Sequence, residues 1–446
     1  MMSLDAIFKA YDIRGVVPDQ LDAPTARSIG WAFARFAESP RLLVARDMRP
    51  SGETLIDAFS EGATLAGVDV VNLGLASTDL LYYAAGHLKA PGAMFTASHN
   101  PAQYNGIKLC LAGARPVGQD TGLAEIKTMA ESGPSLDGRA HGLVSYLDLL
   151  GEFAEHVRSF VDRKVLQPLH VIADTANGMG GLVVPAVFDG LPYKLEILFP
   201  ELDGSFPNHP PDPIQPENLK ALQERVLEVG ADVGLAFDGD ADRVFLVDNK
   251  AQTISGSTTT ALVAKAMLEK QPGSKIIYNL ICSKSVPEII KENGGEPVRT
   301  RVGHSFIKTV MAQTDAVFGG EHSGHYYFRD NYRADSGLIA AMIVLEQLSK
   351  NEEPLSDYRK AFERYADSGE INVEVDDPPA VIDRVAAAFD GVDQDRTDGM
   401  TLDFGEWWVN LRPSNTEPLL RVNLEAADDA SCREHLSEIL EIVKGD

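Results

Sequence analysis

The chain has 446 residues, of which 44% are hydrophobic and 24% are charged, and its formal net charge at pH 7 is −26. This length suggests three or four domains, and the negative charge disfavours binding to nucleic acid or to anionic membranes. The sequence has no apolar run of the roughly 18 residues that a membrane span requires, and we expect no secretory signal at its start. The three cysteines are far apart and form no CxxC motif, so we expect no disulfide framework, no zinc site and a cytoplasmic location.

The first predicted elements alternate between strands and helices. They are a strand at 41–47, a helix at 53–67, a strand at 68–74 and a buried strand at 92–97. The stretch TASHNPAQYNGIKL follows, in which Pro101 and the pair Asn105 and Gly106 favour a loop. Ser98 is therefore predicted to lie on a loop after a strand. Its hydroxyl either reacts or only hydrogen-bonds the turn, and TASHN does not match the G-x-S-x-G motif of hydrolases.

The same alternation continues along most of the chain. Further strands are predicted at 169–175, 194–200, 231–237, 275–280 and 297–303, with helices at 217–230, 285–295 and 305–313. Repeated strand–helix–strand units predict parallel or mixed sheets that are covered by helices. The end of the chain differs, because strands at 369–377, 400–413 and 419–426 are accompanied by a helix at 380–389 and a final helix. This pattern predicts a smaller α+β domain.

The segment AFDGDADRVFLVD carries the strongest local signal for a bound ion. Asp238, Asp240 and Asp242 alternate along it, so an extended backbone directs the three carboxylates to one side. Such close negative charges repel one another unless a cation binds, and carboxylate oxygens suit Mg²⁺ or Ca²⁺. An EF-hand is excluded because Arg243 replaces its glycine and Asn249 replaces its final glutamate. The alternative is an acidic turn that water solvates.

Two later loops contain side chains that suit a sugar phosphate. The segment GGEHSGHYYF combines Glu321, Ser323 and His325, and carboxylates and hydroxyls bind the hydroxyl groups of a polyol. The segment NLRPSNTEPLLRV resembles a phosphate cradle, because arginines combine with hydroxyl and amide donors in a tight turn. Its candidate residues are Arg412, Ser414, Asn415, Thr416 and Arg421. Each loop also has a purely structural interpretation when it is taken alone.

Together, and in this order, the four segments resemble those of the α-D-phosphohexomutase superfamily. The stretches FKAYDIRG, NGIKL, RVGHSFIK, YYFRD and DRTDGM are most similar to those of bacterial phosphomannomutases. The resemblance implies three similar α/β domains with mixed sheets and a smaller C-terminal α+β domain around a central cleft. We predict the domain limits to be 1–144, 145–248, 249–366 and 367–446.

The resemblance also implies a role for each candidate residue. Ser98 would carry a phosphoryl group and would bind Mg²⁺ together with Asp238, Asp240 and Asp242. The implied catalytic residues are Ser98, Arg14, Lys108, His325, His304 and Arg243, and the resemblance does not decide which of them is the general base. The implied substrate-binding residues are Tyr11, Lys284, Glu321, Ser323, His325, Arg412, Ser414, Asn415, Thr416 and Arg421. A hexose 1,6-bisphosphate would act as activator.

The predicted activity is the interconversion of mannose 6-phosphate and mannose 1-phosphate for GDP-mannose synthesis, by a monomer or dimer whose partners are small hexose phosphates. Phosphoglucomutase activity, or equal activity on both sugars, is the nearest alternative, since mannose and glucose differ only at C2. A phosphoglucosamine mutase and a catalytically silent sugar-phosphate sensor are more distant alternatives.

Overall fold

The computed structural model describes residues 4–135, 138, 140–413 and 419–445. Its first sheet contains β1 (Ile13–Val16), β2 (Arg41–Arg46), β3 (Asp69–Leu75), β4 (Gly92–Phe95), β5 (Tyr104–Leu111), β6 (Arg115–Pro116) and β7 (Val144–Tyr146). The helices of this part are α1 (Ala23–Ala37), α2 (Gly52–Leu65), α3 (Thr78–His87) and α4 (Leu123–Ser132). The strand order is β1-β5-β4-β2-β3-β7, with β6 paired to β5. Strands β4, β2, β3 and β7 are parallel, whereas β5 is antiparallel to β1 and β4.

The second and third sheets are also mixed. The second part contains α5 (Leu150–Arg158), β8 (His170–Asp174), α6 (Gly180–Phe188), β9 (Lys194–Leu198), α7 (Lys220–Val229), β10 (Val233–Phe237), β11 (Val244–Asp248) and β12 (Thr253–Ile254). Its strand order is β12-β11-β10-β8-β9. The third part contains α8 (Gly256–Lys270), β13 (Lys275–Asn279), α9 (Ser285–Glu292), β14 (Glu296–Thr300), α10 (His304–Thr314), β15 (Phe318–Gly320), β16 (Tyr326–Phe328), α11 (Gly337–Lys350) and α12 (Leu355–Tyr358). Its strand order is β14-β13-β15-β16.

The fourth sheet is antiparallel. It contains β17 (Ala366–Glu374), β18 (Asp393–Asp395), β19 (Met400–Asp403), β20 (Trp408–Pro413) and β21 (Leu419–Ala426), with α13 (Pro378–Ala388) and α14 (Asp429–Lys444). The order is β17-β21-β20-β19-β18, and every neighbouring pair is antiparallel. Three mixed sheets with helices and a smaller α+β domain confirm the predicted fold class.

Capping side chains start two helices beside each other at the junction of the first and third sheets. The Ser77 side chain accepts from the Leu80 amide at the start of α3, and Ser336 accepts from the Ile339 amide at the start of α11. The Ser336 hydroxyl also donates to Asp79 Oδ2 over 2.7 Å. The first turn of α3 is therefore fixed to the third domain.

The first three domains share one continuous hydrophobic core. Leu81 of α3, Phe153 of α5, Val183 of α6, Leu262 of α8 and Ile343 of α11 all belong to it and are all fully buried. The fourth domain has a core of its own, which is formed by its two helices and its sheet. Packing therefore joins the first three domains into one body, and the fourth contacts the third through a small buried cluster of Leu280, Ile281 and Trp408.

The first sheet includes β7, which ends at Tyr146, and the second includes β12, which ends at Ile254; the domain limits at 144, 248 and 366 stay predictions. The short exposed strand β7 has no alternating pattern that identifies it in the sequence, but it pairs with β3. Within residues 4–135, 138, 140–413 and 419–445, none of the helices has the length and apolar content that crossing a membrane requires.

Candidate active site

Ser98 lies on the loop between β4 and β5, as the sequence predicts. Its φ of 47° is in the left-handed region, which is uncommon for a residue other than glycine and costs free energy unless the surroundings impose it. The side chain is buried, and its Oγ donates to Asp238 Oδ2 over 2.6 Å. The strained backbone therefore directs the serine hydroxyl towards the acidic loop of the second domain.

Arg49 holds this loop in place. Its buried guanidinium forms an ion pair with Asp47 and donates to four loop carbonyl oxygens at 2.6–2.9 Å, namely those of Ser98, Asn100, Pro101 and Tyr104. Burial lowers the pKa of Arg49 and raises that of Asp47, while their charges oppose both shifts. Sequence reasoning missed Arg49. The available signal was its place just after β2, which runs parallel to β4 and ends at the same edge of the sheet.

The three predicted metal ligands converge. Asp238, Asp240 and Asp242 lie on the turn between β10 and β11, are buried, and offer carboxylate oxygens that lie within 4.8 Å of one another. A Cβ atom at Gly239 would approach the Ser98 carbonyl oxygen to 2.5 Å. Only glycine at this position allows the acidic loop and the serine loop to come so close.

The hydrogen bonds of these carboxylates leave two oxygens for an ion. Lys108 Nζ donates to Asp240 Oδ2 and to Asp242 Oδ2, each over 2.7 Å, and Thr78 Oγ1 donates to Asp240 Oδ2 over 2.5 Å. Among the residues that the structure describes, Asp240 Oδ1 and Asp242 Oδ1 are buried and accept no hydrogen bond. Buried carboxylate oxygens without donors fit a divalent cation that prefers oxygen ligands.

The charges in this cluster shift its pKa values strongly. Burial raises the pKa of Asp238 to about 8, although Arg243 opposes the rise. Burial also acts to raise the pKa of Asp240, but Lys108 outweighs it and lowers that pKa below its ordinary value. The pKa of Lys108 is raised well above its usual range, because Asp240 and Asp242 outweigh the effect of burial. A cation bound here would compete with the Asp238 proton and with the Lys108 charge.

Arg243 joins the acidic loop to two other parts of the site. Its Nε donates to Asp238 Oδ2 over 2.9 Å, and its Nη2 donates to Ser98 Oγ over 3.4 Å. Its backbone forms a bridge with that of His325. One guanidinium thus lies beside both the serine hydroxyl and the Asp238 carboxylate.

The sugar-loop candidates lie between β15 and β16. His325 Nδ1 is 3.0 Å from Ser323 Oγ, and His325 Nε2 is 3.9 Å from Asp242 Oδ1, so the imidazole borders the acidic cluster. Glu321 is 2% exposed, and its carboxylate accepts hydrogen bonds from the Asn279 side chain, the Gly303 amide and the Tyr327 hydroxyl. These three donors fix the orientation of the Glu321 side chain.

Arg14 contacts the serine loop, and Tyr11 contacts the third domain. Arg14 donates to Asn100 Oδ1 and to Asp12 Oδ2, each over 2.5 Å. The Tyr11 ring makes an edge contact with Phe306 of α10, at a centroid distance of 5.9 Å, and burial raises its pKa. Tyr11 therefore connects the first domain to the third. The side chain of the predicted catalytic residue His304 lies outside the described part of the structure.

The remaining candidates lie on or against the fourth domain. Arg412 and Arg421 face each other across β20 and β21, and both contact the carboxylate of Glu370, at 3.1 and 3.4 Å. Lys284 does not join them: its Nζ donates to Asp403 Oδ1 over 2.7 Å and to the Gly405 carbonyl oxygen over 2.8 Å. The predicted phosphate-binding residues Ser414, Asn415 and Thr416 lie outside the described residues.

Comparisons with known proteins extend over the whole of this architecture. Four family patterns match consecutive parts of the chain: phosphoglucomutase/phosphomannomutase alpha/beta/alpha domain I at 5–136, domain II at 145–252, domain III at 255–365, and the C-terminal domain at 370–442. A Xanthomonas campestris pv. campestris protein named phosphohexose mutases is 41% identical over 449 residues, which cover 100% of both chains. A phosphomannomutase of Escherichia coli K12 is 39% identical, with 96% of each chain covered.

A solved structure agrees with these matches. The chain superimposes on a phosphoglucomutase/phosphomannomutase family protein from Burkholderia thailandensis with a TM-score of 0.90 and 32% identity, over 100% of this chain and 98% of the other. The four domain types occur in the same order as the four sheets described above. The chain therefore belongs to the α-D-phosphohexomutase superfamily and is a phosphohexomutase, an enzyme with phosphotransferase activity.

Proposed function

We propose that the enzyme is a phosphomannomutase, which interconverts mannose 6-phosphate and mannose 1-phosphate through phosphorylated Ser98 and a hexose 1,6-bisphosphate. The observation that carries this mechanism is the position of Ser98 Oγ, 2.6 Å from Asp238 Oδ2 and 3.4 Å from Arg243 Nη2. The similarity to proteins named phosphomannomutase supports mannose as the sugar. The product would serve GDP-mannose synthesis in the cytoplasm.

In the first transfer, the bond between phosphorus and Ser98 Oγ breaks and a bond to a sugar hydroxyl oxygen forms. The proton of that hydroxyl passes to His325, the candidate base whose Nε2 lies 3.9 Å from Asp242 Oδ1 at the border of the acidic cluster. Arg243 Nη2, 3.4 Å from Ser98 Oγ, stabilises the leaving serine oxygen, which takes up a proton as His325 gives up the one it receives from the sugar. Arg14 is unsuitable as a base because a guanidinium does not lose its proton in proteins. Arg243 donates to the oxygens of the transferring group. The bisphosphate then turns over and returns its other phosphate to Ser98.

Asp238, Asp240 and Asp242, together with an oxygen of the phosphoserine, would hold Mg²⁺. The ion supplies positive charge that stabilises the transferring phosphoryl group. Lys108 keeps the other two carboxylate oxygens oriented, as its two bonds of 2.7 Å indicate. A hexose 1,6-bisphosphate acts as activator because it phosphorylates Ser98 in enzyme molecules that have lost the phosphate.

The rest of the site binds the substrate. Arg412 and Arg421 bind the phosphate that is not being transferred, together with Ser414, Asn415 and Thr416. The sugar is contacted by Glu321, Ser323 and Tyr11. Lys284 joins them only if it leaves Asp403, to which it is bound. The partners are small hexose phosphates, and the enzyme acts as a monomer or dimer.

Coupled assays test the choice of sugar. The rates on mannose 1-phosphate and glucose 1-phosphate are measured with Mg²⁺ and the matching 1,6-bisphosphate. We expect a kcat/KM for mannose 1-phosphate at least about tenfold above that for glucose 1-phosphate, which corresponds to about 1.4 kcal/mol of discrimination. Equal values would replace this proposal with a dual-specificity phosphomannomutase/phosphoglucomutase, and the absence of both activities would refute it.

A further inference from the structure

One carboxylate bridges the two arginines that are proposed to bind the non-transferring phosphate. Glu370 Oε2 lies 3.1 Å from Arg412 Nη2, and Glu370 Oε1 lies 3.4 Å from Arg421 Nη1. Arg412 and Arg421 are directly opposite each other on neighbouring strands, so their guanidinium groups form a pair. Each oxygen of the carboxylate contacts one member of this pair, an arrangement that a phosphate with two of its oxygens would reproduce.

The local backbone is bent where Glu370 enters the sheet. The pairing of β17 with β21 shifts register between Asp367 and Glu370, and Gly369 has a φ of 64°. The Ser368 hydroxyl accepts from the Leu424 amide over 3.0 Å and so holds the bend against β21. Such irregularities redirect a side chain at the edge of a sheet. Here the bend precedes the residue whose carboxylate contacts both arginines.

The three side chains are only partly shielded from water. Their exposed fractions are 9% for Arg412, 27% for Glu370 and 33% for Arg421. Arg412 loses most of its hydration and needs an anionic partner, since an unpaired buried charge is costly. Glu370 retains enough contact with solvent to move away when a stronger ligand arrives. Phosphate is such a ligand because it has more acceptor oxygens and a larger charge than a carboxylate.

We propose that Glu370 is an internal anion that occupies the site of Arg412 and Arg421 in the unliganded enzyme and is displaced by the non-transferring phosphate of the substrate. This inference rests on the phosphate-binding role proposed above for the two arginines. When the bisphosphate turns over, its phosphate leaves both arginines, and Glu370 then returns to them. The carboxylate thereby lowers the cost of the reorientation, because the two cations are never left without an anion.

The proposal fixes the sign of a mutational effect. The variant Glu370→Gln removes the competing charge and keeps the shape of the side chain. Inorganic phosphate and mannose 6-phosphate should then bind more tightly, by about twofold to thirtyfold, which is the range that two partly exposed ion pairs allow. If Glu370 instead orients the arginines for phosphate, the same variant should bind phosphate more weakly.

Isothermal titration of the full-length protein with inorganic phosphate measures this directly and does not depend on turnover. The matched control is Glu374→Gln, which makes the same charge change on the same strand at an exposed residue and should leave the phosphate affinity unchanged. Weaker or unchanged phosphate affinity in Glu370→Gln would overturn the proposal. Glu370→Asp, which retains the charge but is too short to contact both arginines, should bind phosphate with intermediate affinity, and this provides a second test if the glutamine variant fails to fold.

The same titrations separate this inference from the proposed function. Arg412→Ala should weaken phosphate binding in the wild-type and the Glu370→Gln backgrounds alike. If Arg412→Ala leaves phosphate affinity unchanged, the arginine pair is not the phosphate site and both ideas fail. If phosphate binds at Arg412 and Glu370→Gln strengthens it, but the enzyme lacks mutase activity on mannose phosphates, only the proposed function fails.

Discussion

Thr78 offers the sharpest test of how the acidic cluster is held, because replacing it by valine removes one hydroxyl and keeps the shape. Its Oγ1 donates to Asp240 Oδ2 over 2.5 Å, and its amide donates to the Asp240 carbonyl oxygen over 3.1 Å. The side chain is fully buried, so no water replaces the lost donor. A hydrogen bond to a charged group contributes about 1.5–3 kcal/mol.

Loss of this bond leaves the Lys108 ammonium as the remaining side-chain donor to Asp240 Oδ2 among the described residues, so the direction of Asp240 Oδ1 is fixed less firmly. Residues that orient a metal ligand typically change metal affinity by about 10–100-fold when they are mutated. We therefore expect Thr78→Val to weaken Mg²⁺ binding by a factor in that range. Activity should return in part at high Mg²⁺ concentration, whereas Thr78→Ser should restore the hydroxyl and most of the affinity.

The assay is a direct titration of the chelator-treated protein with Mg²⁺, or with Mn²⁺ observed by electron paramagnetic resonance. Thermal unfolding in the presence of chelator shows whether the fold itself is weakened. An unchanged metal affinity in Thr78→Val would refute the reasoning that Thr78 orients Asp240. An equal loss of affinity in Thr78→Ser and Thr78→Val would show that packing, and not the hydroxyl, is responsible.

Three other outcomes follow from the geometry. Ser98→Ala should lower turnover by at least about a thousandfold, because the enzyme can no longer form the phosphoserine intermediate. Mass spectrometry of the wild type after incubation with the bisphosphate should show one added phosphate, which maps to Ser98. A phosphate on another residue would contradict the assignment. Arg412→Ala should lower kcat/KM about a hundredfold, which lies within an expected loss of about 2–4 kcal/mol of transition-state stabilisation. The loss should be similar for the 1-phosphate and the 6-phosphate as starting substrate. A defect confined to one of them would contradict reorientation of the bisphosphate over a shared arginine pair. Burial raises the pKa of Asp79 to about 7, so the folded state holds a proton that the unfolded state releases near pH 4, and stability is lost as the pH rises from about 4 to 7. Asp79→Asn should escape this loss, which amounts to about 4 kcal/mol, and parallel apparent melting temperatures of the two proteins over this pH range would disprove the effect.

The local features of the site could be predicted from the sequence because short-range rules govern them. Pro101 predicted that Ser98 lies on a loop, but the turn predicted at Asn105 and Gly106 was wrong, because both residues lie in β5 and pair with β1. The alternation of Asp238, Asp240 and Asp242 after an apolar strand predicted that three carboxylates converge. The backbone that brings them together is a turn with Ala241 at a φ of 60°, and not the extended segment that this prediction assumed. The periodicity of apolar residues likewise predicted the repeated α/β units and the smaller α+β domain, since each pattern reflects which face of an element is buried.

Only the tertiary structure decided which of these features meet. Ser98 and Asp238 are 140 positions apart. No local pattern predicts that the serine loop packs against Gly239, where a side chain would clash with the Ser98 carbonyl oxygen. Arg49, Thr78 and Glu370 were not identified from the sequence because their importance lies in the partners to which they donate or from which they accept. Lys284 shows the same limit: the resemblance implied a substrate contact, whereas in the structure its Nζ donates to Asp403 Oδ1. A side chain's type is local information, but its partner is set by the packing of domains that are distant in the chain.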